Sequence, residues 1–326
     1  MAKIKRIGVL TSGGDGPGLN PCIRAVTRTA ITKGVEVMGI RRGYTGLISG
    51  ELDPFDARSV GGILGQGGTI LGTTRLPEFL ETKYQRQAIR VMNQHSVDGL
   101  VVIGGNGSLT GALALHRLGF PTVGVPATID NDVNGTDIAV GVDTALNTVL
   151  DAIDKIKDTA SSHQRAFLIE VMGRDCGYLA LMSGIAGGAE MILVPEIPTP
   201  VEEVAEVLTD AYMRGKSHGI VVVAEGYKPG TQAVLEYLEA HKEELGFSMR
   251  VTVLGHVQRG GRPSAYDRIL GTRLGAGAVE GLLDGKSGHL AGMLSSEVAY
   301  TPLEEAVSKL RPINERLYEL AHMMEV

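Results

Sequence analysis

The 326-residue sequence lacks tryptophan and has only two cysteines, Cys22 and Cys176. Two cysteines give neither a disulfide framework nor the ligand spacing of a zinc site. No run approaches the ~18 apolar residues of a membrane-spanning helix. The N-terminal MAKIKRIGVL is positively charged, but only a short apolar run follows before the glycines, which is too short for a signal peptide. We therefore expect a cytoplasmic protein whose chain begins with a strand.

The sequence also has no excess of positive charge. Its net charge of −6 argues against wholesale binding to nucleic acid, although local clusters of arginine remain compatible with small anionic ligands. Hydrophobic residues make up 43% of the chain and charged residues 21%, which is typical of a globular protein. The length predicts about two domains.

Glycine, in contrast, is abundant, with 45 residues that lie mostly at the ends of short apolar runs. The runs alternate with segments of helical length: RIGVL, VEVMGI, GLVVIG, TVGVP, FLIEV, MILVP, GIVVVAE and VTVLG. This alternation predicts an α/β fold with parallel sheets covered by helices on both faces. We expect the polar stretch DTASSHQR and the loop around Gly255 to be passages between two lobes.

Two glycine-rich segments have the pattern strand, loop, helix: IGVLTSGGDGPGLN (7–20) and VVIGGNGSLTGALAL (101–115). Glycines let the backbone approach a ligand, a helix N-terminus attracts anions, and Ser108 is placed to cap the second helix. Neither segment is a dinucleotide fingerprint or a Walker loop, and GLLDGKS (281–287) is one residue short of the latter. Together they favour a nucleotide. Asn106, however, offers a neutral amide where a metal would favour a carboxylate.

The segment PATIDNDVNGTD (126–137) directly follows the apolar run TVGVP. On an extended segment, Thr128, Asp130 and Asp132 project to the same side. Their carboxylates are then expected at the carboxyl end of a strand, where α/β proteins bind ligands. We therefore expect catalysis here.

Four arginines and a histidine border apolar strands or glycine turns farther along the chain: Arg165, Arg174, Arg250, His256 and Arg259. A guanidinium group binds phosphate with two hydrogen bonds, so this pattern favours a phosphorylated ligand. His256 is the least specific of the five.

The motifs LTSGGDGPGLN, GGNGSLTGA, PATIDND, SSHQR, VMGR, AEG and VLGHVQRGG occur in this order. In this series the sequence resembles the bacterial type of ATP-dependent 6-phosphofructokinase nearly from end to end. The resemblance implies two Rossmann-like three-layer α/β/α lobes with mainly parallel sheets, and a homotetramer that transfers the γ-phosphoryl group of ATP, with Mg²⁺, to the 1-hydroxyl of fructose 6-phosphate. It places the ATP lobe in residues 1–140 and about 256–305, and the sugar-phosphate lobe in residues 141–255 and about 306–326.

The resemblance also implies roles for individual residues. Asp130 would be the catalytic base, with Thr128 beside it, and Arg174 would flank the transferring phosphoryl group. Asn106 and Asp132 would belong to the magnesium environment. ATP would be held by Gly14, Tyr44, Arg75, Leu76, Gly105, Asn106, Gly107 and Ser108. Fructose 6-phosphate would contact Thr128, Asp130, Met172, Gly173, Arg174, Glu225, His256 and Arg259, together with Arg165 and Arg250 from a neighbouring subunit.

In such enzymes an ADP or phosphoenolpyruvate effector is expected between subunits. The residues that match this site by position are Arg24, Arg28, Lys157, Gly188, Glu190, Arg214, Lys216 and His218. The match is incomplete, because Ala57 and Lys157 replace arginines and Gly61 and Gly62 stand where polar side chains are usual. We therefore expect a weak or altered response to the effector.

Two alternatives remain open from the sequence. Pyrophosphate-dependent relatives carry an aspartate after the position of Asn106 and a lysine before the threonine of the catalytic motif. Gly107 and Ala127 occupy those positions here, which favours ATP. The second alternative is a regulatory or weakly active paralogue, because Asn106 replaces the metal-binding aspartate of the family.

Overall fold

The computed structural model describes residues 4–324 and divides into two compact units. Unit 1 comprises the chain up to residue 144 and Arg259–Arg311, and unit 2 comprises Ala145–Gln258 and the residues from Pro312 onward. Each unit is built around its own sheet. Within residues 4–324, no helix combines the length and the apolar character needed to span a bilayer.

The strands are short and most of them are buried. They are β1 (Arg6–Ser12), β2 (Glu36–Ile40), β3 (Leu52–Phe55), β4 (Gly99–Gly104), β5 (Thr122–Pro126), β6 (Arg165–Val171), β7 (Met191–Leu193), β8 (Gly219–Ala224), β9 (Ser248–Val253), β10 (His289–Leu294) and β11 (Glu297–Pro302). The predicted α/β class is confirmed, since helices separate most of these strands.

The α-helices pack on the faces of the sheets. They are α1 (Leu19–Thr32), α2 (Gly43–Ser49), α3 (Thr82–Gln94), α4 (Asn106–Arg117), α5 (Val142–His163), α6 (Tyr178–Gly187), α7 (Val201–Met213), α8 (Thr231–Ala240), α9 (Lys242–Leu245), α10 (Ala265–Leu283), α11 (Leu303–Ala306) and α12 (Glu315–Met324).

The seven-stranded sheet of unit 1 has the order β11-β10-β5-β4-β1-β2-β3. Strand β1 pairs in parallel with β2 on one side and with β4 on the other. The chain therefore changes direction across the sheet between β1 and β4. Loops diverge at such a switch point and leave a crevice beyond the carboxyl ends of the strands.

Strand β4 shows why this sheet is buried on both faces. Val101 and Ile103 belong to the apolar cluster that contains α1 and α10, whereas Leu100 and Val102 belong to the cluster on the opposite face. This alternation is the two-residue period of a strand. Polar side chains are thereby excluded from the strand and are concentrated in the loop that follows it.

Helices α1 and α10 pack closely because α10 contains glycine at the contact. A methyl group added at Gly275 would lie 2.6 Å from the carbonyl oxygen of Cys22, well inside van der Waals contact. The Cys22 thiol is fully buried, and this burial raises its pKa. Cys22 therefore acts as a small apolar residue of the core.

The four-stranded sheet of unit 2 is entirely parallel and has the order β7-β8-β6-β9. Leu168 and Val221 project from its central strands toward Leu208 of α7 and Val234 of α8 in one apolar cluster. The amino and carboxyl ends of its strands thus form two separate edges. Both edges carry residues that the sequence singles out.

Strand β3 and the hairpin β10–β11 are absent from the apolar runs selected in the sequence. Strand β3 contains Asp53 and Pro54 and pairs only through antiparallel contacts with β2 at the sheet edge, where proline is tolerated. The hairpin turns at Ser295 and Ser296, whose φ angles are 50° and 68°. Serine gives a weaker sequence signal for such a turn than Asn-Gly.

The prediction that DTASSHQR forms a passage between the two lobes is wrong. Residues 158–163 form the last turns of α5, and the division between the units falls after Thr144. The stretch is polar because most of its side chains are exposed on the helix surface. The second expected passage, around Gly255, lies close to the division after Gln258.

Candidate active site

Three loops of unit 1 meet beyond the carboxyl ends of the adjacent strands β1, β4 and β5. A methyl group added at Gly13 would lie 3.1 Å from Ser108 Oγ, and one added at Gly105 would lie 3.5 Å from Thr128 Cβ. The Asn106 Nδ2 atom donates a hydrogen bond of 3.4 Å to the main-chain oxygen of Asp132. The residues predicted for nucleotide, metal and catalysis therefore converge on one edge.

Helix α4 begins at this edge. Gly105 is its N-cap residue, and no described side chain makes a capping hydrogen bond. Ser108 lies within the first turn, where its N–H donates to Gly105 O at 3.0 Å, so the predicted capping role of Ser108 is wrong. Uncapped N–H groups at a helix N-terminus are donors for an anion such as a phosphate.

The sequence predicts an extended segment at Thr128–Asp132, but the loop is not extended in the structure. Asn131 has a φ of 53°, in the left-handed region, and this residue reverses the local backbone direction. Asp130 is only 3% exposed, and its N–H donates to Thr128 Oγ1 at 3.2 Å. The clustering of the polar side chains thus depends on a turn and not on the two-residue period of a strand.

Tyr44 packs against the first turn of α4. Its hydroxyl donates to Ser108 O at 2.6 Å, and its ring stacks on Phe79 with a centroid distance of 3.9 Å. Burial raises the pKa of Tyr44 well above its usual value, so the phenol remains a neutral donor. Tyr44 is only 4% exposed, and its hydroxyl holds the backbone of the first turn of α4 in place.

Arg75 is exposed on a segment that is fastened to the first glycine loop. Gly13 N donates to Thr74 O at 3.3 Å, and Thr73 Oγ1 donates to Gly13 O at 2.8 Å. Leu76, the next residue, packs against the apolar core. These contacts place Arg75 beside the loop that contains Gly14.

Arg259 contacts the same glycine loop. Its Nη1 atom donates to Asp15 O at 3.4 Å, and a methyl group at Gly14 would lie 2.6 Å from that nitrogen. The family resemblance implies that Arg259 binds the sugar phosphate and that Gly14 binds ATP. The structure brings the two residues together in unit 1.

The donor atoms at this edge suit a magnesium ion that is completed by phosphate. Asn106 Oδ1 is buried and accepts no hydrogen bond from residues 4–324, and Asp132 adds a carboxylate nearby. The same residues contain no group of three or more His, Cys, Asp or Glu side chains able to hold a metal. Magnesium is commonly held by one or two protein oxygens together with substrate phosphates and water, so the residues fit.

In unit 2, the loop after β6 lies at the carboxyl edge of the sheet. Glu225 Oε1 accepts hydrogen bonds from Gly173 N at 3.2 Å and Arg174 N at 2.8 Å. Gln258 Oε1 accepts one from Met172 N at 3.1 Å. The loop Met172–Arg174 is therefore fixed from two sides, and the exposed His256 follows β9 near the same edge.

Arg165 and Arg250 lie toward the opposite, amino edge of the unit 2 sheet. Arg165 is the first residue of β6, and Arg250 pairs in register with Phe167. Strand β6 has seven residues and is therefore about 20 Å long at roughly 3.3 Å per residue. Within one unit, Arg165 and Arg174 are too far apart to bind the same phosphate.

Most of the predicted effector residues also lie at the amino edge of unit 2. Lys216 Nζ is 3.5 Å from Glu190 Oε1, and the Ile220 N–H donates to the Glu190 carboxylate. His218 Nδ1 is 2.9 Å from Ser161 Oγ, and Lys157 Nζ lies close to Gly188. Arg214 pairs with Asp210 on α7. Arg24 and Arg28 belong to α1 in unit 1, where Arg24 is half-buried and Arg28 is exposed.

Sequence reasoning missed three residues that hold the loops in place. Asn131 and Gln258 are 1% and 0% exposed, and both use the side-chain amide to fix backbone atoms. Asp267, which is fully buried, accepts hydrogen bonds from Gly141 N and Thr144 N at 2.8 Å. Only Asn131 left a sequence signal, since asparagine tolerates a left-handed turn between two aspartates better than most residues.

A mainly parallel sheet with glycine loops at its switch point, an uncapped helix N-terminus and adjacent carboxylates is typical of an enzyme of phosphoryl transfer. The comparison with protein families agrees with this class. The family model described as phosphofructokinase matches residues 6–282, and the chain belongs to the phosphofructokinase family.

Curated relatives match almost the whole chain. The chain is 54% identical over 322 residues to the ATP-dependent 6-phosphofructokinase 1 of Thermus thermophilus, covering 98% of this chain and 99% of the relative. It is 50% identical over 323 residues to the ATP-dependent 6-phosphofructokinase of Bacillus pumilus, covering 99% of this chain and 100% of the relative.

Solved structures share the fold. The phosphofructokinase of Saccharomyces cerevisiae superposes with a TM-score of 0.87 at 38% identity, covering 98% of this chain and 47% of the yeast chain. This chain thus spans about half of the yeast chain. A pyrophosphate-dependent phosphofructokinase of Marinobacter aquaeolei gives a TM-score of 0.85 at 24% identity, covering 96% of this chain and 86% of the other, and this likeness concerns the fold alone.

Proposed function

We propose that this protein is a phosphotransferase that moves the γ-phosphoryl group of ATP to the 1-hydroxyl of fructose 6-phosphate, giving fructose 1,6-bisphosphate and ADP. The observation that carries the proposal is the convergence of the Gly13, Asn106 and Asp130 loops on one sheet edge. Phosphoryl transfer requires of the protein mainly alignment and electrostatic stabilisation, with a carboxylate to accept a proton.

Asp130 is the proposed general base. It accepts the proton of the 1-hydroxyl as that oxygen bonds to the γ-phosphorus and the bond from phosphorus to the ADP oxygen breaks. Thr128 Oγ1 accepts from the Asp130 N–H and so fixes the backbone of the base. The uncapped N-terminus of α4 binds phosphate, and Arg174 contributes positive charge for the transferring group.

Magnesium would be held by Asn106 Oδ1 and Asp132 together with ATP, and when bound it neutralises the charge on the phosphates. An amide oxygen is a weaker ligand than a carboxylate because it carries no net charge. We therefore infer a kinase that is active but slow, with a raised magnesium requirement.

Gly107 supports ATP over pyrophosphate as the donor. A methyl group added at Gly107 meets no described atom within 4 Å, so the space beside the start of α4 is open. An open space accommodates the α-phosphate and ribose of a nucleotide. An aspartate at this position, as in pyrophosphate-dependent relatives, would fill the space with negative charge.

We also propose a homotetramer in which Arg165 and Arg250 complete a sugar-phosphate site of the neighbouring subunit. The length of β6 supports this arrangement, because the two edges of the unit 2 sheet are about 20 Å apart. An ADP or phosphoenolpyruvate effector would bind at the amino edge. Cys22 and Cys176 are both buried and form no disulfide, which fits a cytoplasmic enzyme.

Assay of the purified protein tests this function. The protein is supplied with fructose 6-phosphate and either magnesium ATP or magnesium pyrophosphate, and fructose 1,6-bisphosphate is measured. Turnover with ATP alone is expected. Turnover with pyrophosphate alone would identify a pyrophosphate-dependent enzyme, whereas binding of both substrates without turnover would identify a regulatory paralogue.

A further inference from the structure

A buried asparagine separates the two carboxylates of the proposed phosphoryl-transfer site. Asn131 is 1% exposed and has a φ of 53°. Asp130 and Asp132 are attached directly to this left-handed residue. The backbone angles of Asn131 therefore set the directions in which both carboxylates leave the chain.

The side chain of Asn131 is bonded within the protein through both of its polar atoms. Its Oδ1 accepts a hydrogen bond from Ala139 N at 2.9 Å, and its Nδ2 donates to Asp137 O at 3.4 Å. The amide thus closes the loop between residues 131 and 139. A side chain engaged in this way acts on the position of its neighbours and does not contact the substrate.

The segment that receives these bonds is itself fixed at several points. Asp137 N donates to Met293 O at 2.6 Å, and Val140 N donates to Pro126 O at 3.0 Å. Gly141 N donates to Asp267 Oδ1 at 2.8 Å. Residues 137–141 are therefore anchored to β10, to the end of β5 and to α10, and they form a rigid support for Asn131.

We propose that Asn131 is a positioning residue for phosphoryl transfer, and that its amide and left-handed backbone hold the Asp130 carboxylate in the orientation of the general base. The kinetic consequence rests on the proposed function, whereas the geometric consequence does not. Misplacing a catalytic group by about 1 Å can lower the rate by about 100-fold.

Two substitutions distinguish the role of the Asn131 side chain from that of its left-handed backbone. Asn131→Gly keeps access to the left-handed region but removes both hydrogen bonds. Asn131→Ala removes the same two hydrogen bonds and also disfavours the left-handed region. Asn134→Gly is the matched control, because Asn134 lies in the same loop and its Nδ2 also donates to a carbonyl oxygen, that of Glu305, at 3.4 Å.

Steady-state kinetics give the first readout. Asn131→Gly is expected to lower kcat by about 100-fold while the KM values for ATP and fructose 6-phosphate stay within about threefold. Asn131→Ala is expected to lower kcat further than Asn131→Gly, because alanine disfavours the left-handed backbone, and Asn134→Gly is expected to leave kcat unchanged. A Gly variant with wild-type kcat, or an Ala variant whose loss is no larger than that of the Gly variant, would overturn the proposal.

A crystal structure of Asn131→Gly gives a readout that does not need activity. The Asp130 carboxylate is expected to move by about 1 Å or more, and the Ala139 amide is expected to exchange its hydrogen faster in solution. If the wild-type protein has no kinase activity, the proposed function fails, and this structure alone decides the inference. An Asp130 carboxylate that keeps its position would then overturn it.

Discussion

Asn106 Nδ2 donates a hydrogen bond to the main-chain oxygen of Asp132 at 3.4 Å, which joins the first residue of α4 to the loop after β5. Its Oδ1 is buried and accepts no hydrogen bond from the described part of the chain. Asn106 therefore connects α4 to the loop after β5 through its Nδ2 atom, and its Oδ1 atom is available to a ligand. This arrangement bears directly on how the site would hold magnesium.

We expect Asn106→Asp to raise kcat/KM for magnesium ATP by about tenfold or more and to lower the magnesium concentration needed for half-maximal rate. A full charge pair at about 4 Å and an effective dielectric constant of about 20 is worth roughly 4 kcal/mol, which sets the upper limit. The gain is smaller because ATP supplies most of the negative charge around the metal. Magnesium titrations of the initial rate measure both effects.

The same substitution should also change stability. A carboxylate at position 106 faces the Asp132 carbonyl oxygen, so Asn106→Asp is expected to lower the Tm without magnesium and to regain it when magnesium ATP is added. Asn134→Asp is the control, since its Nδ2 makes an equivalent bond of 3.4 Å to Glu305 O. Unchanged turnover in Asn106→Asp would mean that the asparagine is not a catalytic defect.

Replacement of the proposed base should stop turnover without preventing nucleotide binding. Asp130→Ser is expected to lower kcat by about 100-fold or more, because it removes the proposed acceptor of the proton of the 1-hydroxyl, while the affinity for ATP changes little. Asp154→Ser makes the same chemical change at an exposed position of α5 and serves as control. A kcat within about threefold of the wild-type value would reject Asp130 as the base.

Shared sites should be revealed by subunit mixing. If Arg165 serves the site of a neighbour, a mixture of Arg165→Ala and His256→Ala proteins, dissociated and reassembled together, will form hybrids in which some sites contain both residues intact. Activity above that of either unmixed variant is expected. Confirmed hybrids without such a gain would show that each sugar-phosphate site lies within one chain.

The response to ADP and phosphoenolpyruvate should be weak. Each charge-assisted hydrogen bond to a phosphate contributes roughly 1.5–3 kcal/mol, and Ala57 and Lys157 cannot make the two-pronged contacts of arginine. The Glu190 carboxylate is already engaged by Lys216 and by the Ile220 N–H. Saturation curves for fructose 6-phosphate, measured with and without each effector, are expected to shift little. Strong cooperativity that micromolar ADP abolishes would contradict this expectation.

Asp267 should make stability depend on pH. Burial raises the pKa of this carboxyl above the usual 3.8, so the folded protein holds the proton where the unfolded chain has lost it. The stability from this group is therefore present at acid pH and decreases as pH rises from about 4 through the folded pKa. Denaturant unfolding at several pH values should show the wild-type advantage over Asp267→Asn shrinking across this range. Asp284→Asn, the same chemical change at an exposed position, is the control.

The sequence by itself determined the α/β class and the set of polar side chains at the strand ends. Apolar runs such as GLVVIG form buried strands of a mainly parallel sheet. The polar residues Asn106 and Asp130 therefore lie after the strands, at the start of α4 and in the loop after β5. Because parallel strands end at the same edge, the pattern places both residues at one edge of the sheet, and the pairing of β4 with β5 makes them neighbours. The order of motifs also led to the phosphofructokinase family, which the family comparison confirms.

Only the tertiary structure decided how these side chains are held. The left-handed turn at Asn131, the burial of Tyr44 and the contact of Arg259 with the Gly14 loop depend on segments that are distant in sequence. Edge strand β3 forms because β2 supplies hydrogen bonds, although Asp53 and Pro54 are weak strand formers. Local apolar patterns indicate which residues are buried, whereas the orientation of a catalytic group depends on hydrogen bonds that these patterns do not encode, such as the bond from Ala139 N to Asn131 Oδ1.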